Sequence, residues 1–182
     1  MINAIGIVEF TSIAKGIEAA DAMAKTADVT LLVAKHLCPG KYMVLVSGDV
    51  SAVKQAVAAG LDLGTQHAVD HFVIPNVHPS ILPAIGGGND LNGIRAIGVI
   101  ETYTVAAAIE AADLAVKTAA VTPVRLHMAF GIGGKSYSIL TGEVAAVKAA
   151  VAAGSELAAE KGMLVYKVVI PRPNQQVIDS FK

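Results

Sequence analysis

The length, composition and charge of the chain restrict its function before any motif is considered. With 182 residues and a formal net charge of −1, the chain gives no electrostatic reason to expect a nucleic-acid or anionic-membrane partner. Its single cysteine excludes an intrachain disulfide framework and favours a cytoplasmic location. No apolar stretch reaches the ~18–20 residues that a membrane-spanning helix needs, so we expect no membrane span.

The sequence contains an internal repeat of two similar units. Ala4–Glu9 returns as Ala96–Glu101 at an offset of 92 residues, and Val73–Pro75 returns as Val169–Pro171 at an offset of 96. Self-similarity over this length predicts two homologous domains, and the proline- and glycine-rich stretch between them is typical of a linker. The predicted first domain, linker and second domain are residues 1–78, 79–93 and 94–182.

Each unit is predicted to fold as β-α-β-β-α-β, so the fold class is a duplicated, ferredoxin-like α/β (α+β) architecture. Ser12 and Asp49 are good N-caps for the two helices of the first unit. Helical periodicity puts the apolar residues of the first helix on one face. These residues are Ile13, Ile17, Ala20, Ala24 and Ala27. The predicted strands are 4–10, 29–37, 42–48 and 69–75, and the second helix is 50–64.

The loop between the second and third strands differs most between the two units. In the first unit it reads Cys38-Pro39-Gly40-Lys41, and Gly40 permits a tight reversal. In the second unit it is two residues longer, spans 129–135 and has no cysteine. A change of both length and chemistry indicates that the two loops have different roles.

No catalytic set is predicted. Glu9 and Glu101 occupy equivalent strand positions, but duplication alone explains the pair, so we expect structural roles. We therefore do not expect an enzyme.

Several motifs resemble the bacterial microcompartment shell-protein domain, present here in tandem over residues 3–175. They are the repeated strand–helix opening, the Gly-Asp-Val and Gly-Glu-Val helix starts, and the closing Ile-Pro-Asn and Ile-Pro-Arg-Pro. Four further stretches resemble the trimeric, tandem-domain type of shell protein found in propanediol-utilising compartments. These stretches are Thr11–Gly16, Cys38–Lys41, His127–Lys135 and Leu164–Tyr166.

The resemblance implies a homotrimer that mimics the hexamer of single-domain shell proteins and tiles into the shell with other shell proteins. It implies that Cys38 ligates a [4Fe-4S] cluster on the threefold axis, one per trimer, where the loops line a central pore. The other implied pore-loop residues are Pro39, Gly40, Lys41, Phe130, Gly131, Ile132, Gly133 and Gly134. The implied residues of the tile edge are Lys25, Lys117 and Arg172, and Asn76 departs from the arginine expected at its position.

Threefold symmetry explains how one cysteine per chain can supply enough thiolate ligands for a cluster. A cyclic trimer repeats every residue three times, so Cys38 near the axis becomes a ring of three thiolates. A four-iron cluster viewed along its diagonal presents three irons to that ring, and its fourth iron needs a non-protein ligand. Zinc with a water as fourth ligand suits the same ring, and a purely structural tile or metabolite pore without metal stays open.

Such a cluster would pass electrons across the shell, or be carried through it, with a lumen or cytosolic redox enzyme as partner. Lys41, repeated three times, either tunes the cluster by its charge or is a solvated loop lysine.

Overall fold

The computed structural model describes residues 4–87 and 94–181. Its contacts divide the chain into two compact units. The first unit extends to Val77 and also includes Ala129–Gly134, which belongs to the second sequence repeat. The second unit is formed by His78–Met128 and by the chain from Lys135 onward.

The first unit is a four-stranded antiparallel sheet with two helices. The strand order is β2-β3-β1-β4, so the first strand lies in the middle and pairs with both β3 and β4. The elements are β1 (Ala4–Phe10), α1 (Ile13–Thr26), β2 (Val29–Leu37), β3 (Lys41–Gly48), α2 (Val50–Gly64) and β4 (Ala68–Pro75). The predicted fold class and the predicted elements of this unit are confirmed to within a residue.

The second unit repeats this topology with the strand order β6-β7-β5-β8. Its elements are α3 (Ile81–Ile85), β5 (Ala96–Thr102), α4 (Val105–Thr118), β6 (Val121–His127), β7 (Ser136–Gly142), α5 (Val144–Glu160), β8 (Leu164–Pro171) and α6 (Gln175–Asp179). The short helices α3 and α6 each follow the last strand of a sheet, β4 and β8 respectively.

The predicted linker 79–93 contains helix α3, whose Ile81 and Ala84 are buried. Residues 88–93 of that linker lie outside the described residues, as do residues 1–3 and 182. The domain boundaries stay predictions.

Each central strand carries a glycine where a helix crosses it closely. A Cβ at Gly6 would lie 2.5 Å from Val57 Cγ2, and a Cβ at Gly98 would lie 2.4 Å from Val151 Cγ2. Real side chains do not approach so closely, so glycine lets the valines of α2 and α5 pack directly on the sheet. The same solution in both units follows from the duplication.

The apolar face predicted for α1 is not its packed face. Of the predicted set, Ala20 is buried, whereas Ile13 and Ile17 are exposed. The helix instead packs through Gly16, Ala19, Ala20 and Met23. Glycine is needed at the first of these positions, because a Cβ at Gly16 would lie 2.5 Å from the ring of Tyr42. The two isoleucines therefore face outward from their own unit.

Candidate metal centre at the Cys38 turn

Cys38 lies in the turn that joins β2 to β3. The amide of Gly40 donates to the carbonyl of Leu37 at 2.9 Å and closes the turn. Gly40 has a φ of +96°, which a residue with a side chain rarely adopts. The Cys38–Pro39 peptide is cis, and the Cys38 side chain is a partly exposed free thiol.

The loop of the second repeat packs against this turn. We call its residues Ala129–Gly134 the clasp. The Cys38 amide donates to the carbonyl of Ala129 at 3.3 Å, and the Gly131 amide donates to Cys38 Sγ at 3.4 Å. A Cβ at Gly134 would lie 2.7 Å from the Cys38 carbonyl oxygen, so only glycine fits there.

Four of the six clasp residues have left-handed backbone conformations. Ala129 has a φ of 49°, and Gly131, Gly133 and Gly134 have φ values of 74°, 67° and 84°. Ala129 is buried, while Phe130 and Gly131 are exposed. The sequence predicted two loops with different roles but did not predict that one packs on the other; the high glycine content and the two-residue insertion were the available signals.

Lys41 connects three parts of this site. Its ammonium lies 3.0 Å from Glu9 Oε2 and donates to the Gly134 carbonyl at 3.3 Å. The Glu9 side chain is fully buried, and that of Lys41 is 12% exposed. Lys41 is therefore not a solvated loop lysine, and the Glu9 carboxylate balances its charge.

The second unit has the equivalent ion pair. Lys135 Nζ lies 2.5 Å from Glu101 Oε1, with the side chains 43% and 30% exposed. The structural roles expected for Glu9 and Glu101 are therefore those of partners for a loop lysine. Burial differs between the two pairs, and Lys41 of the first pair also donates to the clasp at the Gly134 carbonyl.

The metal-ligating chemistry of one chain is limited to one thiol at this turn. Within residues 4–87 and 94–181, no three His, Cys, Asp or Glu side chains form a group that could hold a metal ion. The donor set still suits a thiolate ligand, because Cys38 is partly exposed and an amide points at its sulfur. Further ligands must come from outside the chain.

The two candidate edge lysines differ in their surroundings. Lys25 pairs with Asp21 at 2.6 Å on an exposed helix surface. Lys117 pairs at 2.5 Å with Asp113, which is buried and also accepts a hydrogen bond from the His78 amide at 2.8 Å. Lys117 thus contributes to the packing of its unit, whereas Lys25 does not.

Asn76 and Arg172 share an unusual backbone conformation. Both follow the last proline of their sheets and have positive φ values, 55° and 49°. Asparagine adopts this region readily, whereas arginine does so at a cost of roughly 1–2 kcal/mol. The Arg172 amide donates to the carbonyl of Arg95 at 2.9 Å, which fixes the position.

Comparisons with known proteins identify the class. The BMC domain model matches residues 4–77 and 96–173. A carboxysome shell protein CsoS1 from Prochlorococcus marinus is 39% identical over 92 residues, which is 48% of this chain and 88% of that protein. The chain therefore belongs to the BMC domain family and carries the domain twice, as the resemblance indicated.

Two full-length matches narrow the class. The bacterial microcompartment shell protein PduT of Citrobacter freundii is 55% identical over 177 residues, covering 97% of this chain and 96% of that protein. A crystal structure of a microcompartment protein from Desulfitobacterium hafniense superposes with a TM-score of 0.86 and 52% identity, covering 97% and 98% of the two chains. The chain is accordingly a structural shell protein and not an enzyme.

A third match concerns the fold alone. The fused permuted hexameric shell protein MSM0275 superposes with a TM-score of 0.63 at 22% identity, covering 86% of this chain and 83% of that one. Among the described helices, none has the length and hydropathy to cross a bilayer.

The two equivalent lysines provide a matched test of the site. Lys41→Gln removes the ammonium partner of a fully buried carboxylate, so we expect the free energy of unfolding to fall by ~3–5 kcal/mol. Lys135→Gln removes a half-exposed pair and should cost about 0–1 kcal/mol. Urea unfolding followed by circular dichroism measures both, and equal losses would contradict the role given to Lys41.

Proposed function

We propose that the chain forms a homotrimeric tile of a bacterial microcompartment shell, with a [4Fe-4S] cluster held at the central pore by Cys38 of three copies. The observation that carries the proposal is a partly exposed thiol in a turn whose neighbouring loop aims an amide at the sulfur. A buried structural cysteine would need neither feature. The compartment itself lies in the cytoplasm, as for the related shell proteins.

The trimer is supported first by the helices. Ile17 of α1 is 54% exposed, whereas Ile109, its equivalent in α4, is fully buried. Ile13 and its equivalent Val105 differ in the same way. A face that is apolar in both repeats and covered in one of them is the face that another copy of the chain would cover.

The last strands support the trimer with the opposite asymmetry. Val168 in β8 is 38% exposed, whereas its equivalent Phe72 in β4 is 4% exposed. Register fixes this equivalence, since Val99 pairs with Val168 as Ile7 pairs with Phe72. Tyr166 and Ile170 of β8 are exposed as well.

One chain thus has two different exposed apolar faces, one on α1 and one on β8. Two unlike faces that bind each other make a heterologous contact, which closes into a ring when the rotation per copy is a whole fraction of a turn. Three two-domain chains contribute six BMC domains, the number in a hexameric shell protein. The two unlike faces and the domain count support a cyclic homotrimer.

The cluster would be held by three Cys38 thiolates and would leave one iron open to a ligand from solvent. It would supply one-electron transfer at the pore, or be carried through the shell to a redox enzyme on either side. Other shell proteins would surround the trimer. Zinc with a bound water fits the same three thiolates, and the measurement below separates the metals.

Cluster content can be measured directly. After anaerobic reconstitution the purified protein should be brown, with about four irons and four sulfides for every three chains, since one cluster serves one trimer. Cys38→Ser should remove the colour and the iron and leave the trimer intact. Zinc in place of iron, or no metal at all, would contradict the cluster and leave a structural tile.

The α1 face has its own test. Ile17→Glu places a charge on the proposed contact, so we expect dissociation of the trimer to monomers in size-exclusion chromatography with light scattering. The control is Val177→Glu, a similarly exposed apolar residue on α6 in the second unit. A trimer that survives Ile17→Glu as well as it survives Val177→Glu would show that the contact lies elsewhere.

We propose that Lys25, Lys117 and Arg172 contribute to the tile edge, with Asn76 at the position equivalent to Arg172. Lys25 is the residue to test, because its salt bridge is exposed and does not hold the unit together. Lys25→Asp should leave the trimer intact and abolish sheets in negative-stain electron microscopy, since like charges would meet across the tile boundary. Lys54→Asp makes the same charge change on α2, and this control should still form sheets. If Lys25→Asp also forms sheets, the assignment of Lys25 to the tile edge is wrong.

A further inference from the structure

We infer that the clasp is a positioning element for the Cys38 sulfur and that the Gly131 amide raises the reduction potential of the centre bound there. The inference rests on the proposed cluster and adds a residue that is not a ligand. It assigns the longer loop of the second repeat to the chemistry of the first repeat.

Two hydrogen bonds of opposite direction join the clasp to the cysteine. The Cys38 amide donates to Ala129, and two residues further on the Gly131 amide donates back to the sulfur. The first bond fixes the backbone of Cys38, and the second fixes its side chain. Together they orient the thiol before any metal binds.

The far end of the clasp is anchored too. Gly134 packs against the carbonyl of Cys38, and Lys41 holds the Gly134 carbonyl while it is paired with buried Glu9. Left-handed φ values at Gly131 and Gly134 allow the backbone to fold back onto the turn. The two extra residues of this loop, compared with the Cys38 turn, provide the length to do so.

An amide donor at a ligating sulfur favours the reduced state. A donor N–H stabilises negative charge on the sulfur, and the cluster is more negative after it accepts an electron. Threefold symmetry places one such donor at each of the three sulfurs. Removing the donors therefore lowers the affinity for the electron.

The sharpest test replaces the amide without changing the shape of the loop. In Gly131→glycolate, introduced by in vitro translation, an ester oxygen takes the place of the N–H. Dithionite supplies the electron, and electron paramagnetic resonance follows the reduced cluster. We expect the equilibrium constant for reduction to fall by about tenfold, which is ~59 mV for a one-electron couple.

Gly133→glycolate is the matched control, since it places the same ester in the same loop two residues away from the donor to sulfur. A Gly131 variant whose potential equals that of the Gly133 variant would overturn the inference.

A second measurement needs no cluster. Gly134→Ala drives a Cβ into the Cys38 carbonyl and should release the clasp, whereas Gly133→Ala carries the same left-handed strain with nothing within 4 Å of its Cβ. In metal-free trimer at a fixed pH, iodoacetamide should alkylate Cys38 several-fold faster in Gly134→Ala than in Gly133→Ala.

Equal alkylation rates would refute the positioning role of the clasp, even if the wild-type protein binds a cluster. If the wild-type protein binds no cluster but the two variants differ in alkylation as expected, the proposed cluster is refuted and the positioning role of the clasp is supported.

Discussion

The buried carboxylate of Glu9 is the constraint on which the site depends. A fully buried carboxylate is tolerated when a cation and hydrogen bonds compensate for its lost hydration, and the cation here is Lys41 at the start of β3. With its ammonium held at Glu9, Lys41 also binds the carbonyl of Gly134. The clasp is thereby fixed against the turn, and the sulfur of Cys38 points to a defined position.

Duplication followed by divergence explains how one chain acquires two kinds of surface. The repeats keep the same sheet and the same close helix packing at Gly6 and Gly98. They differ in exposure: Ile17 of α1 and Val168 of β8 are exposed, while their equivalents Ile109 and Phe72 are buried. In the proposed trimer, other copies of the chain cover the exposed faces, and a cysteine present once per chain becomes a multiple ligand in the same step.

The sequence predicted the elements well, because capping residues, alternating apolar runs and the internal repeat all act locally. It did not reveal which face of α1 packs, since periodicity does not distinguish a face that meets its own sheet from one that meets another copy. The packed face contains Gly16, which lies close to the ring of Tyr42, a residue distant in sequence.

The Cys38 turn was predictable from Pro39, Gly40 and the flanking strands, but its surroundings were not. The clasp contacts Cys38 across 93 residues through backbone atoms, which leave no side-chain pattern to read. The partner of Lys41 lies 32 residues away on another strand. Both contacts depend on tertiary packing.

The most direct measurement of the central claim counts thiolates per cluster. Wild-type chains and mass-tagged Cys38→Ser chains are expressed together, reconstituted anaerobically and examined by native mass spectrometry, which resolves trimers with three, two, one or no cysteines. We predict the mass of a [4Fe-4S] cluster on trimers with three cysteines and its loss as cysteines are removed. The same cluster occupancy on trimers with a single cysteine, or a cluster on monomers, would contradict a centre built by threefold symmetry.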